Sequence, residues 1–81
     1  MNRAKIFEKV ISVFEDVLET KNIKLKESYN ADDVDGWDSL THILLIVETE
    51  KRFELKFLSN EIVSWKNIGE MIDCIEQKLG E

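Results

Sequence analysis

Proline is absent from this chain of 81 residues, which also contains only three glycines and one cysteine. With no proline and no Gly/Ser-rich stretch there is nothing to serve as a linker. The length suits one compact domain with a modest core and is too short for two. The lone thiol, Cys74, cannot close an internal disulfide and lacks a second cysteine for a CxxC metal or redox motif, which fits a reducing compartment. It is expected to behave as a small buried hydrophobe. One histidine, His42, leaves no Cys/His/Asp set from which to build a triad or a metal site, so neither catalysis nor a bound metal is expected. No apolar run approaches the roughly 18 residues of a membrane span, and Met1-Asn2-Arg3-Ala4-Lys5 leads into a mixed pattern without an apolar signal region. The expectation is a soluble, unprocessed, cytoplasmic protein. Positive charge is scarce too: 11 basic against 17 acidic side chains give a net charge of -6. That balance repels nucleic acid and anionic membrane surfaces and steers basic protein surfaces toward the chain. A polar, acidic exterior is also that of a monomer.

What is present is helical periodicity. Phe7, Val10, Ile11, Phe14, Val17 and Leu18 recur at three- and four-residue steps, predicting a first helix over about residues 3–19. From about 20 to 37 the periodicity stops, and Asn22, Ser28, Asn30, Asp32, Asp33, Asp35 and Gly36 mark a long connection without regular structure, pinned by Ile23, Leu25, Tyr29 and Val34. Loops of that length in so small a domain are usually functional. Asp38 and Ser39 start a second helix over about 39–52, with Leu40, Ile43, Leu44, Ile46 and Val47 as its apolar side. Phe53-Glu54-Leu55-Lys56-Phe57 alternates like a strand but has no strand to pair with, and is read as an extended connector. Ser59 is placed to cap a short third helix over about 59–63. Asn67 followed by Glu70 reads as a capping box for a fourth helix over about 67–79, with Ile68, Met71, Ile72, Ile75 and Leu79 inward and Gly80 as its stop. The predicted fold is all-α, a bundle of four helices.

The informative segment is Asp35-Gly36-Trp37-Asp38-Ser39-Leu40. It puts one hydroxyl at the mouth of a helix directly after a long loop, where unpaired backbone N–H groups and the positive end of the helix dipole would favour a phosphate ester on Ser39. Gly36 gives the turn its freedom, and Trp37 offers an apolar anchor between loop and helices. Helix capping alone also accounts for an Asp-Ser pair before an apolar run.

This segment, continued as Leu40-Thr41-His42-Ile43-Leu44-Leu45-Ile46-Val47 and closing at Glu50-Lys51-Arg52-Phe53, resembles the acyl carrier protein family, whose members carry Asp-Ser-Leu at the start of their second helix. The likeness covers nearly the whole chain, since helix, long loop, Asp-Ser-Leu, apolar helix, short helix and capped last helix occur in the family's order and spacing. It implies a bundle of the acyl-carrier type and a single carrier domain over residues 1–81. It also implies a 4'-phosphopantetheine arm attached covalently to Ser39 by a phosphopantetheinyl transferase, and acyl groups held on that arm as thioesters. Asp38 stands where the family's aspartate assists the modifying enzyme. The cofactor would supply the reactive thiol, and the protein attachment and recognition.

By the same resemblance, acyl-loading and acyl-accepting enzymes with basic surfaces would dock on Asp35, Asp38, Leu40, Ile43, Val47 and Glu50. The chain departs from fatty-acid carriers at Thr41, Leu44, Lys51 and Arg52, where acids are common, which points to a specialised biosynthetic pathway. Cations near a helix C-terminus suit its dipole, and Arg52 is placed to pair with Glu48. An aminoacyl or peptidyl carrier and an unmodified helical adaptor using the Leu44 and Leu45 face are the alternative readings. His42 is expected to be a solvated surface histidine and Trp65 a packing residue. Phe7, Ile11, Phe14, Ile46, Ile68, Ile72 and Ile75 are expected to fill the core; whether they part to admit an acyl chain is left open by the pattern.

Overall fold

The computed structural model describes residues 2–80, and within them the chain is all-helical. Its helices are α1 (Arg3–Leu18), α2 (Ser39–Phe53), α3 (Ser59–Ile62) and α4 (Ile68–Lys78). No strand occurs among the described residues, so the alternating Phe53–Phe57 segment is a connector. α1 packs against both α2 and α4. That double packing explains why its buried residues are Ile6, Val10, Val13 and Phe14. The expected stripe omits Ile6 and Val13, whereas Phe7, Ile11, Val17 and Leu18 lie at the edge of the core. α4 supplies Ile68, Met71, Ile72 and Ile75.

The apolar side of α2 is the main correction to the sequence reading. Leu45, Ile46, Thr49 and Phe53 are buried. Leu40, Ile43, Leu44 and Val47, which the periodicity places on the inward side, are 69, 60, 48 and 44% exposed. Apolar residues occupy most of the circumference of the first two turns, so periodicity could not say which arc meets α1. Thr49 is tolerated inside because its hydroxyl donates to the Leu45 carbonyl at 2.7 Å.

Polar clamps fasten the bundle at two corners. The Arg3 guanidinium donates to both Glu27 carboxylate oxygens (2.6 and 3.0 Å), to Asp73 at 2.7 Å and to the Gly69 carbonyl at 3.2 Å. The start of α1, the long loop and α4 are thereby joined. The loop also closes the N-terminus of α4 through its backbone, with Ile68 N–H on the Tyr29 carbonyl and Gly69 N–H on the Glu27 carbonyl. Gly69 is buried there, and a Cβ would stand 3.3 Å from the Glu27 oxygen, so a side chain would press the loop away. At the other corner Arg52 donates to Ser12 Oγ at 2.9 Å, to Glu48 at 3.0 Å and to Asp16. Its departure from the acidic pattern is therefore structural: it ties the end of α2 to α1.

Smaller elements differ from expectation in detail. The long connection contains a 3-10 turn, Ala31–Asp33, in which Asn30 and Asp33 each accept the other's local N–H. Leu25 and Val34 bury beneath it, with Ile23 and Tyr29 partly covered. Ser59 does not cap α3. The Glu61 carboxylate accepts the Leu58 N–H at 2.7 Å and binds Lys78 at 2.8 Å, fastening α3 to α4. Asn67 does cap α4 through the Glu70 N–H at 2.9 Å, but Glu70 reaches back to the N–H of Lys66 rather than Asn67. No described helix is long and apolar enough to cross a membrane.

Candidate functional site

Ser39 is the first residue of α2, and Asp38 is its N-cap. The Asp38 Oδ1 accepts the N–H groups of Leu40 (3.0 Å) and Thr41 (2.9 Å), while its backbone carbonyl accepts the His42 N–H at 2.8 Å. In return the Thr41 hydroxyl accepts the Asp38 N–H at 2.8 Å and donates to the Gly36 carbonyl at 2.7 Å. Thr41, another departure from an acidic pattern, thus locks the turn that carries the serine. Gly36 sits at φ 87°, a left-handed conformation that a side chain adopts only under strain. The Thr41 N–H, foremost, holds the Asp38 carboxyl below the usual carboxylate range, so the cap is ionised at neutral pH.

Ser39 itself is exposed, and among the described residues its hydroxyl makes no hydrogen bond. It stands at the mouth of a cleft of about 580 Å³ whose apolar floor is Trp37, Trp65 and Met71 and whose rim includes Asn30, Asp32 and Lys66. Trp37 anchors this corner edge-on against Phe14, with ring centroids 5.0 Å apart, and Trp65 packs edge-on against Phe57 at 4.8 Å. The exposed Ser39 hydroxyl thus shares one open cleft with two aromatic side chains.

His42 is not the solvated histidine expected. It lies one turn after Ser39, half-buried between Trp37 and Trp65, and its Nδ1 accepts the Trp37 indole N–H at 3.1 Å. An Nδ1 that accepts carries no proton, so the imidazole is neutral with its hydrogen on Nε2. Burial pushes its pKa down from the usual histidine value, which holds that form at neutral pH. The sequence carries a hint of this arrangement: Trp37 precedes the helix, and His42 is on its first turn, within reach of a ring folded back over it.

Of the other sequence-predicted site residues, Leu40, Ile43 and Val47 share the exposed face of α2, and Asp35 is exposed in the loop before it. Leu44 joins that face. Glu50 is placed differently: its side chain is only 16% exposed, and its carboxylate accepts the Phe57 N–H at 2.8 Å, fixing the connector after α2. Lys66 and Met71, which belong to no motif, enter the site because the connection from α3 to α4 folds beside the start of α2. Cys74 is half-covered, its thiol pKa raised first by burial. Among the described residues no three His, Cys, Asp or Glu side chains gather as a metal-ligand set.

No family model matches the chain. No solved structure matches it significantly. Among curated proteins it is similar to the acyl carrier protein of Thermotoga maritima, with 29% identity over 79 residues, covering 98% of each chain. An all-helical bundle, an exposed serine at the head of α2 and a relative matched along nearly its whole length together uphold the resemblance of this chain to the acyl carrier proteins.

Proposed function

We propose that the chain is a carrier protein that presents acyl groups on a 4'-phosphopantetheine arm attached to Ser39, in a specialised biosynthetic pathway, and that it is not itself an enzyme. The observation that carries this reading is the Ser39 hydroxyl, exposed, without a hydrogen-bond partner among the described residues, and fixed at the first position of α2. The donor set fits the group: a free primary hydroxyl is the nucleophile a transferase needs, and the cleft beside it has room for the inner part of an arm. When bound, the arm would supply a terminal thiol on which acyl groups ride as thioesters.

The chain's own residues do the rest. Asp38, ionised and held by the first-turn N–H groups, keeps the serine in one orientation and offers an anionic edge to the modifying enzyme. Thr41 and Gly36 fix the turn so that the hydroxyl is presented at the same place in every molecule. Leu40, Ile43, Leu44 and Val47, with Asp35 nearby, form an apolar face with an acidic border suited to enzymes whose docking surfaces are apolar at the centre and basic at the rim. Glu50, bound to the connector, is left out of that face.

The test is the intact mass of the protein before and after incubation with coenzyme A, magnesium and a promiscuous phosphopantetheinyl transferase, with Ser39→Ala as the control. One added phosphopantetheinyl group on the wild type and none on the variant is the expected result. No addition to the folded wild type would overturn the carrier reading in favour of an unmodified adaptor acting through the exposed α2 face.

A further inference from the structure

The first turn of α2 raises a question about the arm. A phosphodiester on Ser39 is an anion and needs donors, yet of the first-turn N–H groups only that of Ser39 itself has no partner among the described residues. Leu40 and Thr41 bond the Asp38 carboxylate, and His42 bonds the Asp38 carbonyl. Asp38 and Asp32 also bring negative charge to the rim of the cleft. The usual reason for placing phosphate at a helix start, unpaired amides and a positive dipole end, is therefore largely cancelled here.

Another donor is present. His42 and Ser39, three residues apart on a helix, have Cβ atoms roughly 5–6 Å apart, and both line the same cleft. The Trp37 indole occupies Nδ1 and fixes the ring, leaving Nε2–H as the donor on the opposite edge. No hydrogen bond to Nε2 occurs among the described residues, and no buried side-chain nitrogen or oxygen among them lacks a partner. Nε2–H is thus accessible and unused. The two tryptophans on either side keep the ring from swinging away.

Building on the carrier reading, we propose that His42 is the seat of the arm's phosphodiester: its Nε2–H, set as a donor by the Trp37 indole, hydrogen-bonds a phosphate oxygen of the group on Ser39. Ionised and titratable groups facing this seat are Asp38 from the cap, Asp32 from the 3-10 turn and Lys66 from the connection before α4. Lys66 is exposed and makes no ion pair among the described residues, so its charge adds attraction without fixing geometry. The indole–imidazole pair orients the donor, as a polar group does when its second edge is already bonded.

The experiment uses fully modified protein, verified by intact mass, and compares it with unmodified protein by NMR at neutral pH. The His42 Nε2 nitrogen resonance is expected to shift on modification, while Nδ1 keeps its acceptor signature. The phosphorus resonance of the arm is expected to lie away from that of free phosphopantetheine in the wild type. That displacement should vanish in His42→Leu and return in part in His42→Gln, whose amide can both accept from Trp37 and donate to phosphate. An unshifted Nε2 in wild-type protein of confirmed added mass would overturn the seat and leave the carrier reading standing. So would a phosphorus displacement lost in Lys66→Gln but kept in His42→Leu. Failure to gain mass would instead remove the carrier reading and this inference together.

Discussion

Helix α2 has two apolar faces set back to back, and they have opposite fates. Leu45, Ile46, Thr49 and Phe53 lie against the rest of the bundle, with Leu45 only 1% exposed. Leu40, Ile43, Leu44 and Val47 are as apolar by residue type, yet each is between 44 and 69% exposed. The inner face even contains a hydroxyl, and the outer one none. Hydrophobicity alone does not decide burial; the position of α1 does, and the Arg52 clamp to Ser12 and Asp16 holds that position. Four adjoining aliphatic side chains left in water on one helix are the surface that the proposed docking would use. The same helix thus folds the protein with one side and leaves the other in water, with Ser39 as its first residue.

Substitution on the inner face is the most direct way to break this contrast. Leu45→Ala is expected to lower stability by about 2–5 kcal/mol in urea unfolding, because deletion leaves a void in a closed core. For a domain of this size, with a total of roughly 4–12 kcal/mol, that approaches global unfolding at the upper end. A loss below about 1 kcal/mol would mean that the inner face is not the core. The next effect in size is at the turn before Ser39. Gly36→Ala places a side chain at φ 87°, at a cost of about 1–2 kcal/mol. The new Cβ would meet Leu18 at an ordinary 3.6 Å, so the cost is in the backbone and not in a clash. Its signature is a lowered Tm and, on the proposed carrier function, slower modification of Ser39.

How much of this was legible beforehand follows the physics of each signal. The all-helical bundle, the caps at Asp38 and Asn67 and the position of Ser39 were readable because capping and period-3.6 patterning are local. Which arc of α2 faces inward was not, since apolar residues surround the first two turns and only tertiary packing chooses among them. Ile6 and Val13 escape the pattern for the same reason, as α1 serves two neighbours. His42 departs from expectation because its environment comes from Trp37 and from Trp65, the latter far away in sequence. Glu50 is read from the sequence as a docking residue and Arg52 as a partner of Glu48; the Glu48 pair is present, but the hold of Glu50 on the connector and of Arg52 on Ser12 and Asp16 is one that spacing cannot reveal.

A smaller effect separates the clamps from both faces of α2. Arg3 holds Glu27 below the usual carboxylate range, chiefly through their hydrogen bonds. A carboxylate whose folded pKa is depressed contributes stability fully above its unfolded value, 4.5, and loses it as pH falls through the lower folded value. Acid unfolding of Arg3→Met is therefore expected to show a flatter dependence on pH below about 4.5, with a neutral-pH loss of about 1 kcal/mol for partly exposed pairs. An unchanged acid limb would mean that the Arg3 cluster contributes no pH-dependent stability. On the proposed carrier function, the corner at Ser39, which Arg3 does not touch, should be modified at the same rate in this variant.

The smallest effect on stability should be on the outer face, and there the contrast is sharpest. Leu44→Ser removes a side chain already 48% exposed, and its cost is expected to stay within about 0.5 kcal/mol. If that face is where enzymes dock, kcat/KM for transfer of phosphopantetheine to Ser39 should nevertheless fall roughly 5- to 10-fold, the equivalent of about 1 kcal/mol of apolar burial against the docked enzyme. The serine, its cap and its cleft are untouched by the change, since Leu44 lines none of them. A slower transfer at unchanged stability would therefore locate recognition on the outer face. A fall in both would mean that Leu44 supports the fold after all, and a fall in neither would move docking to the loop around Asp35.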